Sequence, residues 1–252
     1  MTTRVQTGEV FDDLTAEQDA LEAVLASLEE DAWRHASGAA GWTIADVVLH
    51  LAQTEEHVIA SVTGSEAPAL ARDRDGPPLD EVMDRLVAAE RTAPPAAVFQ
   101  RWRTARRAAL TALRACPPKV RLRWASTPLT PRTLATTRLA EHWAHALDIA
   151  VPLGITYPDT VRLWHVAWLA HRSLPYAFTL AGKQAAPVRC ELLGPNGETW
   201  RLGPPDAPSL IAGPAGTFCR VGARRLPAER SGLTVTGPHG ETALRVLRNY
   251  AI

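Results

Sequence analysis

Apolar residues recur at helical spacing through the first two-thirds of this chain. Leu14, Leu21, Val24, Leu25 and Leu28 mark one face of a helix predicted over 13–30. A second helix is predicted over 43–62, with Thr43 as its cap after Gly41 and Trp42. A third helical region spans 79–114 and is interrupted at Pro94-Pro95, its second piece being the more regular. The fourth runs from Pro131 to Leu153 and is left at Gly154. A fifth is predicted over 161–180, kinked or ended by Pro175. Long helices joined in this way predict an antiparallel four-helix bundle, whose interior is a usual place for metal sites.

The period changes near residue 185. Val188 to Leu193 alternates and runs into Gly194-Pro195-Asn196-Gly197, which predicts a hairpin with 198–202 as its return strand. Further strands are expected at 209–212 and 233–236, and short helices at 215–223 and 241–250. The expected class is therefore α+β: a helical bundle over 1–184 and a small α+β domain over 185–252.

Polar residues within the fourth helix change the picture most. Arg138, Glu141, His145 and Asp148 fall within about 80° of arc at about 100° per residue, beside a broad apolar arc. A helix this apolar packs over much of its circumference, so the stripe faces a cleft or the interior. A buried carboxylate needs a partner, and a cation is one. Glu141 and His145, four apart, can share an ion. His142 and His145, three apart, are neighbours too, and spacing does not choose between the pairs. On the second helix His50 lies opposite the apolar face of Ile44, Val47, Val48, Leu51 and Val58, which makes it the third donor. Two imidazoles, a carboxylate and an open position suit a catalytic zinc. His57, two turns on, is too far along the axis to share that ion and is placed on the wall of the same cavity.

Composition mainly excludes. The 252 residues carry no net charge, and the signs are mixed, so nothing argues for nucleic acid or an acidic membrane as partner. Lys119 and Lys183 are the lysines among 27 basic residues, a bias that points to a high-GC bacterium. Cys116, Cys190 and Cys219 form no CxxC pair and suit neither a disulfide framework nor a zinc site. All three lie in surroundings typical of inert packing cysteines. The polar start, Met1 to Asp12, is no secretory signal, and no apolar run reaches membrane-spanning length. A soluble, cytoplasmic protein is expected, as monomer or homodimer.

The stretch from Gly41 to Ala52, GWTIADVVLHLA, resembles the second helix of DinB-like metalloproteins, and in particular of the mycothiol-dependent maleylpyruvate isomerase family. Thr133 to Ala150 is similar to that family's second metal-bearing helix. Gly194 to Trp200, Gly213-Pro214-Ala215, and Arg224-Arg225 followed by Gly232 to Gly237 resemble its C-terminal domain. The resemblance spans nearly the whole chain, with the motifs in order. It implies an actinobacterial enzyme in which a divalent metal, usually zinc, is held by His50, Glu141 and His145, favouring Glu141 over His142. It implies mycothiol as a thiol cofactor, with Arg138, Asp148 and His57 beside the metal or cofactor. It also implies that Arg224 or Arg225 enters the cleft to pair with a substrate carboxylate. The chemistry expected is thiolate addition, rotation and expulsion, or transfer of the thiol to a leaving-group carbon. Two rival readings stand beside it: a thiol-independent lyase, cyclase or hydrolase of secondary metabolism, and a non-catalytic small-ligand protein. The His-Trp-Ala-His run at 142–145 departs from the family's more usual apolar pattern, and the resemblance supports a metal and a thiol cofactor far better than it supports maleylpyruvate as substrate.

Overall fold

A computed structural model describes residues 8–65, 78–125 and 127–249. Chain contacts divide it into two compact units: 14–157, and 158–249 together with 8–13. The boundary expected between 184 and 185 falls inside the second of these. The helices before it, at 163–180, pack on the helices and strands that follow it.

The first unit holds most of α1 (Val10–Ala26), α2 (Ile44–Thr63), α3 (Leu79–Glu90), α4 (Pro95–Ala115) and α5 (Pro131–Ala150). α1 begins earlier than expected and stops at Ala26; Glu30–Arg34 is a separate 3-10 turn. The third helical region divides into α3 and α4 around Pro94, as its prolines require. Local chemistry fixes the helix starts. Thr43 accepts from the Asp46 amide while the Asp46 carboxylate accepts from the Thr43 amide, a complete capping box on α2. Gly64 closes α2 at φ 69°, a left-handed position that suits glycine. Thr130 caps α5, and Pro131 fills its first turn.

α2 packs mainly on α4 and also meets α3 and α5. α5 is buried on nearly every side, with 16 of its 20 residues inside. Its polar side chains therefore need partners within the unit, or they would cost the fold several kcal/mol each. Arg138 finds Glu55 at 2.9 Å through Nε and the Thr54 hydroxyl at 2.7 Å through Nη2.

The second unit contains α6 (Leu163–Arg172), α7 (Leu174–Leu180), β1 (Arg189–Leu193), β2 (Thr199–Leu202), β3 (Leu210–Pro214), α8 (Ala215–Gly222), β4 (Thr234–Thr236) and α9 (Gly240–Val246). The single helix expected over 161–180 is two, broken at Ser173 with Pro175 in the first turn of α7. The expected hairpin is present: β1 pairs antiparallel with β2 in the register Cys190↔Leu202, and Gly197 takes φ 85° in the turn. β3 then pairs parallel with β1, and β4 antiparallel with β3, giving the order β2-β1-β3-β4. α8 packs on α6 and α9 on α7. Asp159 grips Arg220 through two contacts of 2.8 and 2.9 Å. The architecture is mixed α+β, as the two periods along the chain predict.

Candidate metal centre

α2 and α5 bring His50, Glu141 and His145 together, with one potential ligand atom from each inside 4.8 Å of the others. Nε2 of His50 lies 2.9 Å from Glu141 Oε1, and Nε2 of His145 lies 3.4 Å from the same oxygen. The two rings meet edge-on with centroids 5.0 Å apart. Nδ1 of His145 donates to Asp148 Oδ2 at 2.9 Å. Glu141 keeps 29% of its side chain exposed, whereas His50 keeps 6%, so the cluster opens to solvent beside the carboxylate.

The electrostatics follow from that packing. Burial is the largest influence on Glu141 and pushes its carboxyl up. Hydrogen bonds from His145 and His50, with the nearby Arg138 charge, outweigh it and hold the group well below the usual carboxylate range. Burial pushes His50 down, and its contact with Glu141 only partly offsets this. His145 is also pushed down by burial, but Asp148 and Glu141 more than reverse it and raise the ring.

A divalent cation fits these donors. With its Nδ1 proton committed to Asp148, a neutral His145 turns the lone pair of Nε2 towards an oxygen that also only accepts. Two facing acceptors require a positive charge between them, a proton or a metal. The outward hydrogen bond from an imidazole to a carboxylate is the usual arrangement behind a metal-binding histidine. Two nitrogens, one oxygen and an open side match a catalytic rather than a structural zinc site. Nδ1 of His50 has no hydrogen-bond partner among the described residues, so that ring is engaged only through Nε2.

His142 does not share the site. Its ring is wholly buried, Nδ1 donates to the Arg138 carbonyl at 2.8 Å, and Nε2 accepts from Trp102 Nε1 at 3.2 Å. Gln18 lies 3.4 Å from the same nitrogen. Both nitrogens are spent, and burial holds the ring well below the usual imidazole range, hence neutral. Spacing had left this residue open; the contacts assign it to the core.

The other residues singled out in the sequence are placed as follows. Asp148 touches His145 directly. Arg138 points to Glu55 and Thr54, with its guanidinium 5.8 Å over Trp124. His57 is buried on α2 and lies outside the cluster. Arg224 and Arg225 belong to the second unit. Arg224 is exposed and left-handed (φ 61°) just past α8, and Arg225 donates to the Ala223 carbonyl at 2.7 Å.

Residues that spacing did not single out complete the picture. The Trp42 indole is tilted against His50 at 5.0 Å between centroids and stacked towards His145 at 6.4 Å. Its Nε1 donates to Asp84 Oδ1 on α3 at 2.8 Å, which fixes the ring as one wall of the cluster. Glu55 is buried as the counter-charge of Arg138, and burial raises its carboxyl against that guanidinium. Trp42 lies next to the helix cap in the sequence, which was its one available signal.

Comparison with known proteins bears on the family and the fold. The family described as the mycothiol maleylpyruvate isomerase N-terminal domain matches residues 14–150, a stretch that includes all three cluster residues. Two uncharacterised proteins of Mycobacterium tuberculosis, from strains CDC 1551 and H37Rv, are each 34% identical over 245 residues, covering 95% of this chain and 94% of theirs. Among solved structures, a crystal structure of the mycothiol-dependent maleylpyruvate isomerase superposes with a TM-score of 0.63 at 17% identity, over 96% of this chain and 98% of that one. A mutant of that enzyme gives 0.62. At that identity the likeness establishes a common fold.

Proposed function

This chain belongs to the mycothiol maleylpyruvate isomerase family, and on that footing we propose that it is a metal-dependent enzyme that uses mycothiol on a small molecule bearing a carboxylate or carbonyl, by isomerisation or S-transfer. The convergence of His50, Glu141 and His145, with Asp148 behind His145, carries the reading. A divalent cation at these donors, zinc by their chemistry, supplies Lewis acidity and favours the ionised form of a thiol.

The chain's own residues do the rest. His50, Glu141 and His145 hold the cation. Asp148 keeps the proton of His145 on Nδ1, so that Nε2 stays free to coordinate. Trp42 walls the cluster, and the exposed side of Glu141 leaves a way in. Arg138, committed to Glu55 and Thr54, sets the field around Glu141 from within the core. One of Arg224 and Arg225 pairs with a substrate carboxylate, which a guanidinium does through two parallel hydrogen bonds.

The three cysteines support an external thiol. Burial pushes Cys190 up to about 12 and Cys219 well above its ordinary value, and it raises Cys116 as well. A thiol that stays protonated at neutral pH is a poor nucleophile. The nucleophilic sulfur is therefore brought in with the cofactor.

The test is turnover of a cis-configured unsaturated keto acid such as maleylpyruvate, with metal and mycothiol withheld in turn. Activity needing both, and lost in His50→Ala, supports the reading. Turnover that needs metal but no thiol assigns a lyase, cyclase or hydrolase instead. Arg224→Ala and Arg225→Ala should leave metal content unchanged. One of them should lower kcat/KM by roughly 10- to 100-fold, the scale of a lost charge-assisted contact.

A further inference from the structure

The second unit contains a concave site that metal chemistry does not use. A cavity of about 610 Å³ opens beside α6, within the range that small ligands occupy. Trp164, Trp168 and Arg172 stand four residues apart on one face of α6, so their side chains form a row. Both tryptophans are half-buried in the full chain. Trp164 is held edge-on by Trp200 at 5.7 Å. The Arg172 guanidinium lies 5.8 Å over the Trp168 ring. Val188 and Leu202, both buried, form the apolar floor.

The site is built rather than incidental. His171 Nε2 donates to the Val188 carbonyl at 2.9 Å, tying the 185–188 segment to α6. Gly203, at φ 84°, sits against that same carbonyl and the His171 ring, where a Cβ would collide with both. The backbone just past β2 thus closes on α6 through a glycine, and the cavity lies along that seam.

Its charge is unsatisfied. Arg172 is exposed and has no carboxylate within ion-pair distance among the described residues. Arg201 has only a 3.7 Å contact with Glu191, whose carboxylate is already held by Arg189 at 2.8 Å. Two guanidinium groups therefore border an indole-lined, apolar hollow. His171 and the Val188 carbonyl satisfy each other, which leaves few groups to read a polar heterocycle or a sugar. We infer that this site binds a planar aromatic carboxylate, its ring against Trp164 and Trp168 and its carboxylate on Arg172 or Arg201. The inference is independent of the function proposed for the metal centre.

The experiment is calorimetric titration of the full-length, metal-loaded protein with naphthoate, naphthamide and cyclohexanecarboxylate. Naphthoate should bind saturably, and each of the other two at least about 10-fold more weakly, because one lacks the charge and the other the ring. Arg172→Gln or Arg201→Gln should weaken naphthoate by about 10-fold, since both side chains are exposed and the fold does not need them. Trp168→Leu should do the same with helical circular dichroism retained. Glu141→Ala should leave naphthoate binding unchanged. Absence of saturable binding at millimolar naphthoate overturns the assignment. So does binding that is lost in Glu141→Ala but kept in both arginine variants, which places the carboxylate at the metal centre.

Discussion

Asp148 accepts the Nδ1 proton of His145 at 2.9 Å, and that single contact decides which nitrogen of the imidazole faces Glu141. One turn of α5 thereby carries a ligand and the group that orients it. The Asp148 backbone carbonyl accepts in turn from the Gly38 amide at 2.8 Å, so this turn is anchored to the segment leading into α2. Asp148→Asn should keep the helix but lose the charge behind His145. Metal affinity should fall by about 10- to 100-fold, the usual effect of removing such an outer partner. Competition with a chromogenic chelator measures it, and unchanged affinity would refute the role.

The ligand set and His142 should separate cleanly. His50→Ala, Glu141→Ala and His145→Ala should each lose bound metal by elemental analysis while keeping helical circular dichroism, because a large bundle does not depend on one catalytic ion. His142→Ala should do the opposite. It should retain metal but lose about 2–4 kcal/mol of stability, since it opens a cavity and strands Trp102 Nε1. Metal loss in His142→Ala alone would show that the ligands are misassigned.

Trp42 should report on the ion. Its indole centroid is 5.0 Å from that of His50, close enough for a paramagnetic ion at the cluster to quench it. Cobalt(II) added to metal-free protein should lower tryptophan emission, and Trp42→Phe should remove most of the quench. Asp84→Ala, which frees the indole from α3, should weaken cobalt binding by less than about 10-fold, as an exposed contact would. Equal quenching in wild type and Trp42→Phe would place the ion elsewhere.

Metal affinity should fall as pH falls, and should begin to do so early. Proton and cation compete for Nε2 of His145. Burial alone would lower the ring, but Asp148 and Glu141 outweigh it and raise it above its ordinary value. The protonated ring therefore persists to a higher pH than a free imidazole, whose midpoint is about 6.5. Chelator competition from about pH 5 to 8.5 should show affinity declining from above that midpoint. Asp148→Asn should move the onset lower. A flat profile across that range would count against an imidazole nitrogen in the coordination sphere.

Much of the fold was legible because its signals are local. Apolar spacing, the Thr43 and Thr130 caps, Pro131 and the prolines at 94–95 act within one or two turns, and α2, α4 and α5 fall where they direct. The Gly194–Gly197 turn set the hairpin register in the same way. The division of the chain was less legible. α6 and α7 read as a continuation of the bundle, since helical period alone does not say against which neighbours an apolar face packs. In the folded chain those faces meet α8 and α9.

The same line runs through the candidate metal centre. The sequence alone determined that Glu141, His145 and Asp148 share one stripe of a helix and that His50 stands off the apolar face of another, because helix geometry fixes angles within an element. Spacing did not determine whether Glu141 or His142 joins His145 in facing α2. His142 and His145 are about 60° apart on a helix buried nearly all round, so both point into the protein. Only the packing of α4 placed Trp102 against His142 and closed it off. Only the loop before α2, with Trp42 held by Asp84 of α3, set an indole against the other two rings. Likewise the resemblance places Arg138 beside the metal or cofactor without naming its partner, and only the packing shows Glu55, 83 residues away, against it in the core. A buried charge takes its partner from whatever element lies against it, and that choice is made by tertiary packing and not by spacing along the chain.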